Sequence, residues 1–137
     1  MNIPYAGGCA CGAIRYECSA APQFMVNCHC RGCQYASGAS YTAGFMLARS
    51  AFKLLKGEPR WFERTADSGS KVRRGFCSDC GTPLFAASES IPDLIVVKPS
   101  SLDDPSWFKP QADIFTESAQ PWDCMDQALP KFHGMPT

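Results

Sequence analysis

The sequence has no excess of charge of either sign and no long hydrophobic run. Thirteen basic residues balance thirteen acidic ones in 137, whereas nucleic-acid binders usually carry a basic excess that releases phosphate counterions. No stretch approaches the roughly 18 apolar residues of a membrane-spanning helix. Residues 1–8 lack the basic start and apolar run of a secretory signal. We therefore expect a cytoplasmic protein with no nucleic-acid partner and no membrane anchor.

Long helical periodicity is also lacking. Short apolar segments between turn residues predict strands over residues 13–17, 24–26, 41–46, 72–76, 84–86, 94–97 and 114–116. Residues 52–55 and 60–64 flank a Gly-Glu-Pro turn and predict a hairpin. Residues 33–37 predict a short helix that stops at Gly38. Because the length and the 45% apolar content suit one core, we expect a single mainly-β domain over residues 1–137, with small antiparallel sheets and little helix.

Cysteine, in contrast, is abundant. Seven of the nine cysteines fall into three clusters, CAC at residues 9–11, CHCRGC at 28–33 and CSDC at 77–80. Thiols stay reduced in the cytosol, and an odd count argues against a fully paired disulfide framework. Thiolates at this spacing can share one zinc ion, each at about 2.3 Å. The clusters therefore predict metal rather than disulfides.

The seven clustered cysteines divide into a group of four and a group of three. Two clusters supply two thiolates each and are followed by a glycine, which accepts the positive φ that a tight cysteine turn needs. Together they predict one closed four-thiolate zinc site with the ligands Cys9, Cys11, Cys77 and Cys80. Such a site is structural, because it ties the N-terminal strand to the middle of the chain and contributes folding free energy.

The other three cysteines, Cys28, Cys30 and Cys33, lie on a segment short enough to hold one metal ion. In an extended chain Cys28 and Cys30 share a face and His29 points away. Three ligands leave one coordination position open for chemistry. Three thiolates also reduce the metal's ability to lower the pKa of a bound water molecule. This second zinc is therefore better suited to binding a thiol than to hydrolysis. A redox pair, Cys30 with Cys33, is the alternative interpretation.

His29, Cys18 and Cys124 lie outside the two predicted ligand groups. His29 could relay a proton, replace a cysteine as ligand, or contact the ligands from behind. Cys18, which follows a predicted strand, is expected to be a small buried residue, and Cys124 is open to the same interpretation. The basic run at residues 71–74 is expected to be the solvated face of a strand.

Several motifs, in the same order and surroundings, resemble one known family. They are GCACGAIRY at 8–16, CHCRGC at 28–33, SG at 37–38, FCSDCGTPL at 76–84, SLDDP at 101–105, PW at 121–122 and LPKF at 129–132. In these stretches the chain resembles the glutathione-dependent formaldehyde-activating enzymes, also called S-(hydroxymethyl)glutathione synthases. The resemblance covers nearly the whole chain, and together the motifs are specific to that family.

The resemblance implies a fold of several coiled β-sheets around a structural zinc. It assigns the four-cysteine group to that zinc and Cys28, Cys30 and Cys33 to a second, catalytic zinc. It further implies a carbon–sulfur lyase that condenses formaldehyde, or another small aldehyde, with the thiol of glutathione. Basic residues could meet the carboxylates of glutathione, although a surface role is the first expectation for each of the candidates Arg15, Arg31 and Lys98.

Two other functions fit parts of the sequence. One is a zinc-stabilised binding module whose three-cysteine cluster does no chemistry. The other is a thiol redox enzyme similar to the methionine sulfoxide reductases, which also build small β domains around zinc. The redox enzyme is the weaker alternative, because the sequence has no isolated cysteine in a motif like theirs.

Overall fold

The structure, a computed structural model, describes residues 1–136 and confirms a mainly-β fold with little helix. Within these residues the strands are β1 Tyr5–Gly8, β2 Arg15–Cys18, β3 Phe24–Cys28, β4 Thr42–Ala48, β5 Phe52–Lys56, β6 Arg60–Thr65, β7 Lys71–Phe76, β8 Pro83–Ser88, β9 Leu94–Val97 and β10 Ala112–Ile114. The α-helix is α1 Arg31–Ser37, and 3-10 turns cover Arg49–Ala51, Pro99–Ser101, Pro105–Trp107 and Thr116–Ser118. None of these helices has the length and apolar character to cross a bilayer.

The strands are arranged in two sheets. A three-stranded antiparallel sheet has the order β1-β2-β5, and a seven-stranded sheet has the order β10-β3-β4-β9-β8-β7-β6. Every pair in the large sheet is antiparallel except β10 with β3. β3, β9 and β7 therefore run in the same direction, and their C-terminal ends lie at the same end of the large sheet although they come from distant parts of the chain.

The hairpin predicted for residues 52–55 and 60–64 is wrong. The first segment, β5, pairs with β2, whereas the second, β6, pairs with β7 in the other sheet. The connecting turn packs against the three-stranded sheet instead: a β-carbon added at Gly57 would lie 2.2 Å from the carbonyl oxygen of Ala13. The turn residues correctly predicted a change of chain direction, but long-range packing determines which strands pair with β5 and β6.

The main core lies between the two sheets. Tyr16 and Cys18 of β2 are fully buried there, and they face Phe45 and Phe85 of the large sheet. The rings of Tyr16 and Phe85 meet edge to face, with centroids 5.2 Å apart, a favoured aromatic geometry. The Tyr16 hydroxyl is satisfied by the hydroxyl of Ser101 at 2.6 Å. The expectation that Cys18 is a small buried residue is confirmed.

The opposite face of the large sheet carries a smaller core and one end of the cysteine segment. Val26, Met46 and Ile114 are buried on this face, and half-buried Cys28 packs against them. Side chains alternate along a strand, so Cys28 at the end of β3 is on the same face as Val26. The three-cysteine cluster consequently begins on the face that is turned away from the main core.

Helix α1 follows directly and is fixed at both ends. The Sγ of Cys30 accepts the N–H of Cys33 at 3.3 Å, which caps the first turn. Gly38 ends the helix with φ of 68°, the left-handed conformation that glycine adopts without steric cost. The stop at Gly38 is confirmed, and the helix starts two residues earlier than predicted because Cys30 supplies the cap.

Candidate metal centres

Two tight turns of similar design present the first group of cysteines. In each turn, the N–H of the first cysteine donates to the carbonyl five residues on, at 3.1 Å for Cys9 and 3.0 Å for Cys77. Its own carbonyl accepts an N–H from a glycine, Gly12 or Gly81. Both glycines have positive φ, 79° and 77°, so each turn depends on a residue without a β-carbon.

These turns bring four sulfurs together. The Sγ atoms of Cys9, Cys11, Cys77 and Cys80 all lie within 4.8 Å of one another. The Cys9–Cys11 distance is 3.6 Å and the Cys11–Cys77 distance is 3.8 Å. Four thiolates placed about 2.3 Å from a central zinc ion are separated by about 3.8 Å along the tetrahedron edge. The cluster therefore has the donor atoms and the spacing that a four-thiolate zinc site needs.

Thr82 joins the two turns beside this cluster. Its hydroxyl accepts the N–H of Ala10 at 3.1 Å and lies 3.1 Å from the Sγ of Cys80. The same hydroxyl is the main reason that the pKa of Cys80 falls to about 5. The turn thus favours the thiolate, which is the form that binds metal.

The location of the four-cysteine cluster suits a structural role. Cys9 and Cys11 follow β1 of the small sheet, whereas Cys77 and Cys80 connect β7 to β8 of the large sheet. Cys9 and Cys77 are buried at the edge of the main core. A metal ion bound here would link the two sheets, and all four of its positions would be filled by the protein.

The second group of cysteines is local. Cys28 ends β3, Cys30 caps α1 and Cys33 lies in its first turn. Their Sγ atoms lie within 4.8 Å of one another, and all three residues are half-buried. Hydrogen bonding from Cys28, with help from Cys33, holds the pKa of Cys30 well below its usual range. The cluster offers three soft donors in a shared space, which fits a zinc ion with one position open.

His29 does not join either cluster. Its ring is 1% exposed and lies between two buried carboxylates: Nε2 is 2.8 Å from Asp113, and Nδ1 bonds to Asp123. Asp113 is also 2.8 Å from Nζ of Lys131. Burial raises the pKa of Asp113, but hydrogen bonds from Lys131 and His29 outweigh it, and the net shift is downward.

Through Asp123 and Lys131, this network attaches the C-terminal segment to the segment that carries the three cysteines. No local pattern indicated Asp113 and Asp123 as partners of His29, because each is 84 or more positions away from it. The only signal in the sequence was a charged residue, Asp113, flanked by the apolar Ala112 and Ile114. Buried Gln34 completes the attachment, since its side-chain amide donates to the carbonyls of His29 and Ser118.

The three basic residues considered for binding the carboxylates of glutathione have different surroundings in the structure. Arg15 forms a two-pronged pair with Asp103 at the surface, and the guanidinium of exposed Arg31 lies 4.8 Å above the ring of Tyr35. Lys98 is different. It is only 8% exposed, and burial lowers its pKa while the charges of the three cysteines oppose that shift. The surface role first expected for Lys98 is therefore wrong.

Arg74 is a neighbour of the three-cysteine cluster that no pattern in the sequence indicated. It belongs to the basic run at residues 71–74, which was expected to be a solvated strand face. Lys71 and Arg73 of that run are exposed, as expected, but Arg74 is half-buried. Its Nη2 donates to the Sγ of Cys33 at 3.8 Å. Strand alternation explains the difference, because successive side chains point to opposite faces.

Comparisons with known proteins identify the family and support the fold. Residues 4–118 match the family model described as "Glutathione-dependent formaldehyde-activating enzyme". The fold is also similar to a crystal structure of a protein from Rhodobacter sphaeroides, with a TM-score of 0.60 and 17% sequence identity. That match covers 93% of this chain and 98% of the other. At this identity the structural likeness shows the fold alone, whereas the family match covers most of the chain.

Cys77→Ser is expected to lose zinc and most of the soluble folded protein. A structural zinc site contributes about 10 kcal/mol or more, which is comparable to the whole stability of a domain. Zinc content and thermal unfolding measured by circular dichroism test this. Cys124→Ser is the matched control, because Cys124 is exposed and lies in neither cluster. Melting of Cys77→Ser unchanged from wild type would exclude the structural role.

Cys30→Ser is expected to keep the fold, with a melting temperature within roughly 5 °C of wild type. The three-cysteine cluster connects only a local segment, and serine retains an oxygen that can cap α1. Its zinc content should fall by one equivalent per chain. A loss of folded protein as large as that of Cys77→Ser would show that the two clusters do not differ in role.

Asp113→Asn is expected to destabilise the protein by about 3 kcal/mol, because it removes one partner of a buried charge network. Asp103→Asn is the matched control: it breaks an exposed pair with Arg15 and should cost less than about 1 kcal/mol. Urea unfolding of both variants gives the comparison. Equal effects would mean that the His29 network does not hold the C-terminal segment in place.

Proposed function

Because the chain belongs to the glutathione-dependent formaldehyde-activating enzyme family, we propose that it is a zinc-dependent carbon–sulfur lyase. Its reaction would be the condensation of formaldehyde, or another small aldehyde, with the thiol of glutathione to give S-(hydroxymethyl)glutathione. The observation that carries this proposal is the three-thiol cluster, which has the donors for a zinc ion and leaves one position for a substrate.

Each cysteine group has its own part in the proposal. Cys9, Cys11, Cys77 and Cys80 would hold a structural zinc, and Cys28, Cys30 and Cys33 would hold the catalytic one. When bound at the second group, zinc supplies a soft electrophilic centre that accepts a thiolate or polarises an aldehyde oxygen. A substrate thiol matches the sulfur donors already present, which is why we propose a thiol substrate rather than activated water.

The cations beside the cluster support thiolate chemistry. Arg74 donates to the Sγ of Cys33, and buried Lys98 lies within reach of the charges of all three cysteines. Positive charges placed this way stabilise negative sulfur in a half-buried site, where water screens charge poorly. They would therefore favour the ionised form of an incoming thiol as well as the ligand cysteines.

The proposed reaction needs little further machinery. One carbon–sulfur bond forms, the thiol proton ends on the former carbonyl oxygen, and no group leaves. Thiols add to formaldehyde without help, so holding the two reactants together accounts for much of the required acceleration. His29 is not proposed as a proton relay, because both of its ring nitrogens are engaged by the carboxylates of Asp113 and Asp123.

We also propose a single domain over residues 1–137 and a cytoplasmic location. One domain is supported by the four-cysteine cluster, which draws its ligands from both sheets. The cytoplasm is supported by the nine free cysteines, because that compartment keeps thiols reduced.

Glutathione is expected to bind zinc-loaded wild-type protein and to lose measurable binding in Cys30→Ser. The reason is that Cys30 is one of only three ligands in the proposed substrate-binding centre. Isothermal calorimetry measures both affinities. S-methylglutathione, which keeps the peptide but has no free thiol, is the ligand control and should bind at least tenfold more weakly than glutathione.

A contrary result would take one of two forms. Glutathione could bind neither protein, or it could bind wild type and Cys30→Ser alike. Either result would remove the thiol substrate and leave the zinc-stabilised binding module as the better description of the chain.

A further inference from the structure

Three cations share the face of the seven-stranded sheet that holds the three-cysteine cluster. Arg74 pairs with Ala86 of β8, which pairs with Val96 of β9. Lys98 follows two residues later with an extended backbone, φ −77° and ψ 116°, so its side chain returns to the same side. Arg64 of β6 pairs with a residue two positions from Arg74 and is therefore on this face too. We call Arg64, Arg74 and Lys98 the cation cluster.

The cation cluster reaches the cysteine segment. The Nη2 of Arg74 donates to the Sγ of Cys33. A β-carbon added at Gly32 would lie 3.1 Å from Nη2 of Arg74 and 3.3 Å from Nη1 of Arg64. Both guanidinium groups therefore lie against the backbone between Cys30 and Cys33, where a larger residue than glycine would displace them.

These cations have no carboxylate partners among residues 1–136. The ion pairs in that range join Arg15 to Asp103, His29 to two aspartates, and Lys131 to Asp113, and none includes the cation cluster. Lys98 is more than nine-tenths buried, and the buried Nε of Arg74 has no hydrogen-bond partner. Buried charges are normally paired because removing them from water is costly. Apart from the thiols of the three cysteines, residues 1–136 supply no acidic partner to this cluster.

The thiolates account for only part of the missing charge. A zinc ion with three thiolates carries a net charge of −1, and the cation cluster carries +3. The two charges therefore sum to +2. A thiol substrate that also carries carboxylates would supply the remaining negative charge, and glutathione has a carboxylate on each side of its cysteine residue.

We propose that the cation cluster binds a carboxylate of the thiol substrate and so selects anionic thiols over neutral ones. This inference rests on the proposed function of the three-cysteine cluster. Arg64 can form paired hydrogen bonds with a carboxylate, and Lys98 adds a point charge. Arg74 is already engaged by Cys33, so Arg64 and Lys98 are the main specificity-determining residues.

The experiment compares three thiols on wild type, Arg64→Met and Lys98→Met. Calorimetry on zinc-loaded protein measures the affinities for glutathione, for glutathione diethyl ester, whose carboxylates are blocked, and for 2-mercaptoethanol. Each substitution should weaken glutathione about tenfold or more, the effect of losing one charged hydrogen bond. Arg64→Met should leave the affinities for the ester and for 2-mercaptoethanol unchanged, because these thiols carry no carboxylate. Lys98→Met should weaken them less than it weakens glutathione, because it also removes a charge beside the sulfurs.

Lys71→Met is the matched control. Lys71 lies on the same strand as Arg74 but is exposed. Because it is three residues from Arg74, its side chain points to the other face of the sheet. All three thiols should bind this variant as they bind wild type. Zinc content and thermal melting of every variant show whether the metal centre and the fold are intact. If Lys98→Met does not fold, Arg64→Met decides the outcome, since Arg64 lies on the edge strand β6 and is only half-buried.

The outcomes separate this inference from the proposed function. Equal weakening of glutathione and its ester would show that the cations only stabilise sulfur, and it would overturn the inference while leaving thiol binding in place. Wild type that binds 2-mercaptoethanol as tightly as glutathione would overturn it as well. Wild type that binds none of the three thiols would overturn both the inference and the proposed function.

Discussion

The four sulfurs of Cys9, Cys11, Cys77 and Cys80 lie where the two sheets meet, and the metal ion that we propose for them is the constraint on which the rest of this account depends. Cys9 and Cys11 come from the small sheet, and Cys77 and Cys80 form the turn between β7 and β8 of the large one. The main core packs beside this junction. Fixing that turn also fixes the register of β7 with β8. Because β8 pairs in turn with β9, the same register determines where the side chains of Arg74 and Lys98 lie on the opposite face of the large sheet. The junction thus positions a second site to which it contributes no ligand.

The second site differs from the first in connectivity and in surroundings. Its three thiols come from six consecutive residues, so it adds little to the connection between distant parts of the chain. It is instead held in place by its neighbours. Behind it, the buried His29 network and Gln34 attach the C-terminal segment. On its other side lie Arg74 and Lys98, which have no carboxylate partner among the described residues 1–136. A preorganised site of this kind suits binding and chemistry, whereas a junction that offers a metal ion four ligands suits stability.

The sequence was informative wherever the chemistry is local. The cysteine turns depend on short spacings and on a following glycine, so their grouping could be predicted without a fold. The buried strand at residues 94–97 and the stop at Gly38 were equally local. β1 was missed because Tyr5–Gly8 has little strand character, and Gly7 is needed there for close contact with Tyr16. The predicted strand at 114–116 lies at Ala112–Ile114, since Phe115 has φ of 54°. The positions of Lys98 and Arg74 beside the cysteines follow from the sheet order, which no local pattern encodes.

Zinc stoichiometry before and after mild chelation tests the central claim, that one centre holds the fold and the other stays open, most directly. We expect two zinc ions per chain, of which one is removed first, with the circular dichroism spectrum and the melting transition retained. Cys28, Cys30 and Cys33 should then become reactive to a thiol reagent, while Cys9, Cys11, Cys77 and Cys80 stay protected. A single zinc per chain with Cys28, Cys30 and Cys33 reactive in the untreated protein would contradict the claim, as would loss of both ions together with the fold.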